Sequence, residues 1–301
     1  MKNILNELEG IYSLMLTPFK TDLSVDYDAY ERYCAFQVSQ GVKHLFAVCG
    51  SSEMSALTLE ERLNLARLTV KNAPDTYVVA TGNMEYDPAA QCEEVKRMTD
   101  TGVDALVFTT RGLGNNPDAL VEHVARLKEC TDLPIFMYEF PGLRPHLISG
   151  ETYGRLVKEC GVKGIKDTTC TKEGIKAKID NKGYSCIIQA NMPFLFEAFK
   201  MGARGVMSTP TACGGAFFQR FFDAFMSGDM SLAEKRYQEI MLLDCAIGDG
   251  FNATAKYLVS KQGSPMNYIN RGGTVLSSQR LQALDAFFDW CCAQGLMKDS
   301  F

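Results

Sequence analysis

Lys166 stands at the end of the stretch Val162-Lys163-Gly164-Ile165-Lys166-Asp167-Thr168-Thr169, which has the pattern of a short strand running into polar residues before a helix. Side chains alternate along an extended segment, so Val162, Gly164, Lys166 and Thr168 share one face while Lys163, Ile165 and Asp167 share the other. If Ile165 packs against a helix layer, Lys166 points inward beside a glycine. A lysine held there is poorly solvated, which favours its neutral amine and makes it a candidate nucleophile toward a carbonyl. The competing reading is a surface lysine at a strand end, the commoner situation for that residue type. Tyr138, 28 residues upstream, is the matching candidate for moving protons, because a phenol both donates and accepts. Its alternative is a core aromatic.

The elements that must position these two follow a regular alternation. Apolar β-rich runs fall at 11–17, 44–49, 77–81, 105–109, 134–140, 164–167, 186–189 and 205–208, eight in all. Segments of helical period separate them. Tyr27, Tyr30, Cys34 and Val38 make an apolar stripe after Asp26, and Asn116 caps Pro117-Asp118 ahead of Leu120, Val121, Val124 and Leu127. Further helices are expected at about 58–72, 87–101, 149–160, 171–181, 192–201 and 213–227. Eight such units predict an α/β fold, a (β/α)8 TIM barrel over 1–228, rather than a doubly wound sheet; no G-x-G-x-x-G follows the first strand. Residues 229–301 carry no strand signal and predict a C-terminal helical annex with helices near 230–247, 252–263 and 277–293.

Composition removes several function classes. At 301 residues with 46% hydrophobic and 22% charged, the chain supports a large folded core. A net charge of −5 without a basic cluster argues against nucleic acid and anionic membranes as partners. The amino-terminal residues lack the apolar core of a signal peptide, and no run reaches membrane-spanning length. Eleven cysteines are scattered without a C-x-x-C pair, which suits reduced thiols in a cytoplasmic protein. Three histidines at unrelated spacings form no metal-ligand pattern, so no metal or other cofactor is expected. Barrel chemistry sits where strands end, and there the chain offers Thr17, Ser51, Ser52, Thr81, Asn83, Thr109, Thr110, Gln189, Asn191, Ser208 and Thr209 around Lys166 and Tyr138. Such a set suits a small oxygen-rich anion bearing a carbonyl.

Three motifs together resemble the pyruvate-dependent class I aldolases of the dihydrodipicolinate synthase and N-acetylneuraminate lyase family. Gly164-Ile165-Lys166-Asp167 is similar to that family's G-x-K-[DE] strand, whose lysine forms the Schiff base. Tyr138-Glu139-Phe140-Pro141 is similar to its Y-x-x-P proton-relay motif, at the family's interval. Gly50-Ser51-Ser52-Glu53 resembles the G-[ST]-T-G-E loop that binds the substrate carboxylate, but without the glycine before the glutamate. Ser51 takes part in either alignment of that loop, and Glu53 reads as its structural anchor. Weaker echoes include 14–19 (LMLTPF), 202–210 (GARGVMSTP) and the lysine-bearing helix near Lys256.

The resemblance implies a Schiff-base lyase with Lys166 and Tyr138 as catalytic residues and Gly50, Ser51, Ser52, Met207 and Asn191 as substrate contacts. It also implies a homotetramer or dimer that takes a 2-oxo acid such as pyruvate together with an aldehyde or sugar-acid substrate. Ordinary turn or core roles compete for Ser51, Ser52, Met207 and Asn191; for Gly214-Gly215 a turn is favoured over a phosphate cradle. Two departures bear on substrate. Val107-Phe108-Thr109-Thr110-Arg111 replaces the synthases' P-Y-Y segment, and Phe140-Pro141-Gly142-Leu143-Arg144-Pro145 displaces their second-carboxylate arginine, with Arg144 the candidate to compensate by a one-residue shift. The expectation is therefore an aldolase or dehydratase on a 2-keto-3-deoxy sugar acid. The alternatives are dihydrodipicolinate synthase itself, a binding-only homologue, and a metal-dependent aldolase.

Overall fold

A computed structural model describes residues 8–301; the amino-terminal reading, where it concerns residues 1–7, lies outside the described residues. Eight parallel strands close into a barrel in chain order: β1 Gly10–Leu14, β2 His44–Val48, β3 Tyr77–Thr81, β4 Ala105–Thr109, β5 Ile135–Tyr138, β6 Gly164–Asp167, β7 Cys186–Gln189 and β8 Gly205–Val206. The strands are nearly all apolar and almost wholly buried, as a parallel sheet covered by helices requires. Helix starts follow side-chain chemistry. Asp26, Thr58, Asp87, Asn116, Ser149 and Thr171 each accept a hydrogen bond from a backbone N–H of the first turn, satisfying a donor the helix itself cannot. Thr58 and Glu61 form a full capping box.

The chain divides into two compact units: residues 8–10 with Tyr77–Met207, and Ile11–Thr76 with Ser208–Phe301. In the first, β4 to β7 are locked in a register that sets Thr109 beside Tyr138, Tyr138 beside Lys166, and Lys166 beside Ile188. Register partners in a parallel sheet point to the same face, so this row is one layer of the barrel interior. The row below it is Val107, Phe136, Gly164 and Cys186. A side chain at Gly164 would come within 2.5 Å of the Phe136 ring, so the glycine of the lysine strand is required by packing. Glu139 and Asp167, one residue beyond Tyr138 and Lys166, face the helix layer instead.

The second unit pairs β1 with β2 and carries the helices Tyr27–Ser39, Leu59–Asn72, Thr211–Met226, Met230–Ile247, Phe251–Lys261 and Ser278–Ala293. Gly214 and Gly215 fall inside Thr211–Met226, not before a helix, and Gly214 kinks it with φ −142° and ψ 39°. A Cβ at Gly214 would meet Leu243 at 2.5 Å, and one at Gly215 would meet Val42 at 2.8 Å. The pair lets helices approach closely, which accounts for it without phosphate.

Candidate active site

Lys166 and Tyr138 lie on adjacent strands as direct register partners, and the Lys166 Nζ sits 4.0 Å from the centroid of the Tyr138 ring. Both are nearly closed to solvent, at 6% and 3% exposure, which decides against the surface-lysine reading. Phe140 packs against the tyrosine with ring centroids 5.3 Å apart, backing it from the loop side. An amine and a phenol are thus held side by side in an apolar, partly closed space, the setting in which an amine can act as nucleophile while a phenol shuttles its protons.

Behind this pair lies a buried ion cluster that sequence reading missed. Lys178, on the helix Lys172–Asn181, places its ammonium 2.8 Å from Glu139 Oε1 and 3.0 Å from Asp167 Oδ1, and also donates to the Thr169 hydroxyl. All three side chains of the ion cluster are at most 1% exposed. An ammonium has three donors, and these partners use all of them. Burial alone would depress the Lys178 pKa, but the Glu139 and Asp167 carboxylates outweigh it and raise it above 10.5. For Glu139, burial dominates and pushes its carboxyl above the ordinary 4.5 despite Lys178. The direction we stand behind is a charged Lys178, since two carboxylates share it. Glu139 extends the network by accepting from the backbone N–H groups of Ile148 at 2.9 Å and Thr168 at 3.1 Å. One lysine on a helix therefore ties the residue after Tyr138 to the residue after Lys166.

Asn191 and Met207 gather around Gln189. The Gln189 Oε1 accepts from the N–H groups of Ala190 and Asn191, and the Met207 N–H donates to the Gln189 carbonyl at 3.0 Å. The Asn191 amide donates to the Thr169 carbonyl at 3.1 Å. Asn83 is fully committed: it brackets Thr109 by accepting from its N–H and donating to its carbonyl.

In the second unit the 50–53 turn is built as follows. The Ser52 hydroxyl is spent locally, accepting from the Cys49 N–H at 2.7 Å and donating to the Cys49 carbonyl at 2.8 Å, while its own carbonyl accepts from the Thr17 hydroxyl. Ser51 turns the other way and meets the Thr209 hydroxyl at 2.9 Å. The Gly50 carbonyl closes the turn by accepting from the Glu53 N–H at 3.0 Å. Glu53 has φ 60°, a left-handed conformation unusual for its type, where the resembled loop has its glycine close by. What holds it is the annex: Glu53 Oε1 accepts from Lys256 Nζ at 2.8 Å and Oε2 from the Arg271 N–H at 2.8 Å. Arg271 also grips Glu61 with both guanidinium arms at 2.6 and 2.7 Å. Burial lowers the Lys256 pKa, and Glu53 offsets part of that by favouring the charged ammonium. Glu53→Gln is expected to lower stability by about 3–5 kcal/mol by stranding a buried ammonium. Chemical denaturation reads this directly.

A family model described as the dihydrodipicolinate synthetase family matches residues 7–286. The chain belongs to that family. Members are lyases of the class I aldolase type, and this chain is such an enzyme. It is similar to a 4-hydroxy-tetrahydrodipicolinate synthase of Phocaeicola vulgatus, 28% identical over 268 residues, covering 86% of this chain and 89% of the relative. A synthase of the same name from Shewanella sp. (strain MR-4) is 26% identical over 228 residues, covering 75% and 78%. Among solved folds, YagE, a prophage protein of this family from E. coli K12 in complex with pyruvate, superposes with TM-score 0.85 at 18% identity, covering 94% of this chain and 98% of that one. CdNal from Clostridium difficile, in complex with mannosamine, superposes with TM-score 0.86 at 16% identity, covering 94% and 99%. These two likenesses establish the family's barrel with its helical annex.

Among the described residues no helix is long and apolar enough to cross a membrane.

Proposed function

We propose that this family member is a pyruvate-dependent Schiff-base lyase or dehydratase acting on a 2-keto-3-deoxy sugar acid or a closely related hydroxy-oxo acid. The observation that carries the reading is the buried Lys166 amine lying 4.0 Å from the face of Tyr138 on the neighbouring strand. Lys166 attacks the ketone of the 2-oxo acid, and loss of water gives an iminium. That cation is an electron sink for a carbanion at C3, which permits cleavage or formation of the C3–C4 bond, or departure of a substituent from C4 or C5 once a proton is removed. Tyr138 carries protons between the amine, the carbinolamine oxygen and the substrate hydroxyl. Ser51, with Thr209 beside it, is the hydroxyl donor for a carboxylate; Ser52 and Gly50 shape the turn that presents it. The Asn191 amide oxygen is the acceptor for a distal hydroxyl, and Met207 contributes backbone to the 2-oxo acid.

A second reading, 4-hydroxy-tetrahydrodipicolinate synthase, is favoured by the names of the relatives. Against it stand Thr109 and Thr110 where synthases carry paired tyrosines, and an Arg144 that is exposed beyond β5. Either reading carries a cytoplasmic homotetramer or dimer, whose oligomeric state light scattering tests.

Borohydride trapping with pyruvate, followed by peptide mapping, tests the class of chemistry. An adduct on Lys166 is expected; a folded protein that traps nothing, or traps at another lysine, refutes the assignment. Turnover of 2-keto-3-deoxy acids without formation of 4-hydroxy-tetrahydrodipicolinate separates the first reading from the second. Tyr138→Phe is expected to keep the pyruvate adduct and slow turnover by roughly 10²–10⁴-fold, the range for a positioned acid–base group. Wild-type kcat in that variant would return Tyr138 to a packing role.

A further inference from the structure

Two thiols that no sequence pattern connects meet on the outside of the Tyr77–Met207 unit. Cys92 lies in the second turn of the helix Pro88–Thr99, and Cys130 follows the end of the helix Pro117–Lys128. Although 38 residues separate them, the Cys130 S–H donates to the Cys92 sulfur at 2.6 Å. That separation is far inside ordinary sulfur contact and not far above the roughly 2.05 Å of a disulfide bond. A second tie holds the same two segments together: the hydroxyls of Thr99 and Thr131 hydrogen-bond at 2.8 Å. Both thiols are also partly exposed and so within reach of an oxidant, whereas Cys34, Cys49, Cys186 and Cys213 are buried. Packing alone explains a buried thiol. It does not explain two partly exposed thiols brought sulfur to sulfur across separate elements.

We propose that Cys92 and Cys130 are an oxidative modification site, forming a reversible disulfide that staples the helix Pro88–Thr99 to the segment following Pro117–Lys128. The oxidant is a peroxide. As a thiolate, Cys92 attacks one oxygen of hydrogen peroxide, the O–O bond breaks, and Cys92 becomes a sulfenic acid as the released hydroxide takes up a proton to form water. Cys130 then loses its proton and attacks the Cys92 sulfur, and the sulfenic oxygen leaves as a second water. Two thiols give up two protons and two electrons, and one peroxide becomes two waters. The order of attack follows the hydrogen bond. Burial first, and then its bond to Cys92, push the Cys130 thiol up to about 11, so it stays protonated and donates. Cys92 accepts that hydrogen bond, which leaves Cys130 as the thiol that resolves the sulfenic acid. Smaller effects on the Cys130 thiol come from Lys96, which lowers it, and Glu129, which raises it.

The bond would close a chain segment containing β4 and the turn after it. Cross-linking a segment of that length restricts the unfolded chain, so oxidation is expected to raise Tm by about 5–10 °C.

The experiment treats the reduced full-length protein with stoichiometric hydrogen peroxide, blocks remaining thiols with iodoacetamide, and maps peptides without reductant. The expected result is one cross-linked pair joining the peptides of Cys92 and Cys130, lighter by two hydrogens and undone by dithiothreitol, together with the rise in Tm. Cys92→Ser should lose both the cross-link and the rise while leaving the Tm of the reduced protein nearly unchanged. The proposal is overturned if both cysteines remain fully alkylated, if either ends as a sulfinic acid, or if either is found linked instead to the exposed Cys170 or Cys245. A Cys92→Ser protein that still gains the same Tm on oxidation would overturn it too.

Discussion

Lys166→Ala is expected to abolish the borohydride-trapped pyruvate adduct and to reduce turnover by on the order of a million-fold, the scale on which removal of a nucleophile is felt. The effect is this large because the iminium is the only electron sink the proposed mechanism provides; the remaining polar groups bind and orient but cannot delocalise a C3 carbanion. The fold should survive. The side chain leaves a space at the strand end beside Tyr138, and the ion cluster behind it, Lys178 with Glu139 and Asp167, does not include Lys166. A cooperative unfolding transition near that of the wild type, with no adduct, is the combined outcome sought. An alanine variant that still traps pyruvate would show that another amine does the chemistry.

Lys178→Met should have the largest effect on stability and a second effect on rate. Removing the ammonium leaves the Glu139 and Asp167 carboxylates, both fully buried, without their cation, at a cost of about 3–5 kcal/mol. The backbone N–H groups that Glu139 holds, at Ile148 and Thr168, lose a fixed acceptor, so the loops after β5 and β6 loosen together. Tyr138 and Lys166 immediately precede the two carboxylates in sequence. A displacement of about 1 Å there would lower kcat by roughly a hundred-fold. Lys178 touches no substrate in this scheme; it positions. A merely structural role would leave kcat per folded molecule untouched, whereas positioning lowers kcat with little change in KM, and Lys178→Arg should recover part of it.

The pH dependence has a definite sign. The folded-state pKa of Lys178 is raised above 10.5, so the stability the cluster supplies is present below that pH and is lost as pH rises through the raised value. Of the two carboxyls stranded in Lys178→Met, Glu139 is the one whose pKa burial already raises above 4.5. Protonation removes its charge, so the deficit of the variant against wild type should shrink as pH falls from neutrality toward about 5. A deficit that stays constant across that range would mean that the buried charge is not what destabilises the variant.

The sequence by itself determined the barrel and singled out Lys166 and Tyr138 as the candidate pair. Eight apolar runs separated by segments of helical period, some with a legible cap such as Asp26 or Asn116, leave few other ways to bury so much β-rich surface. The alternation around Ile165 also placed Lys166 inward, because period two leaves only two faces and one is claimed by the helix layer. Glu53 was legible as an anchor from the motif, but not its partners, which lie more than 200 positions away at Lys256 and Arg271. Lys178 could not be singled out, because Lys172, Lys176 and Lys182 surround it and any of them could face solvent. Only the packing of that helix against β5 and β6 decided which lysine was buried. The tertiary structure likewise separated Ser51 from Ser52, identical in type and adjacent in sequence, by spending one hydroxyl on Cys49 and turning the other to Thr209. It paired Cys92 with Cys130 for the same reason. Periodicity encodes which face a residue shares with its neighbours along one element; which distant side chain it meets depends on how elements pack, and a single sequence carries no local signal for that.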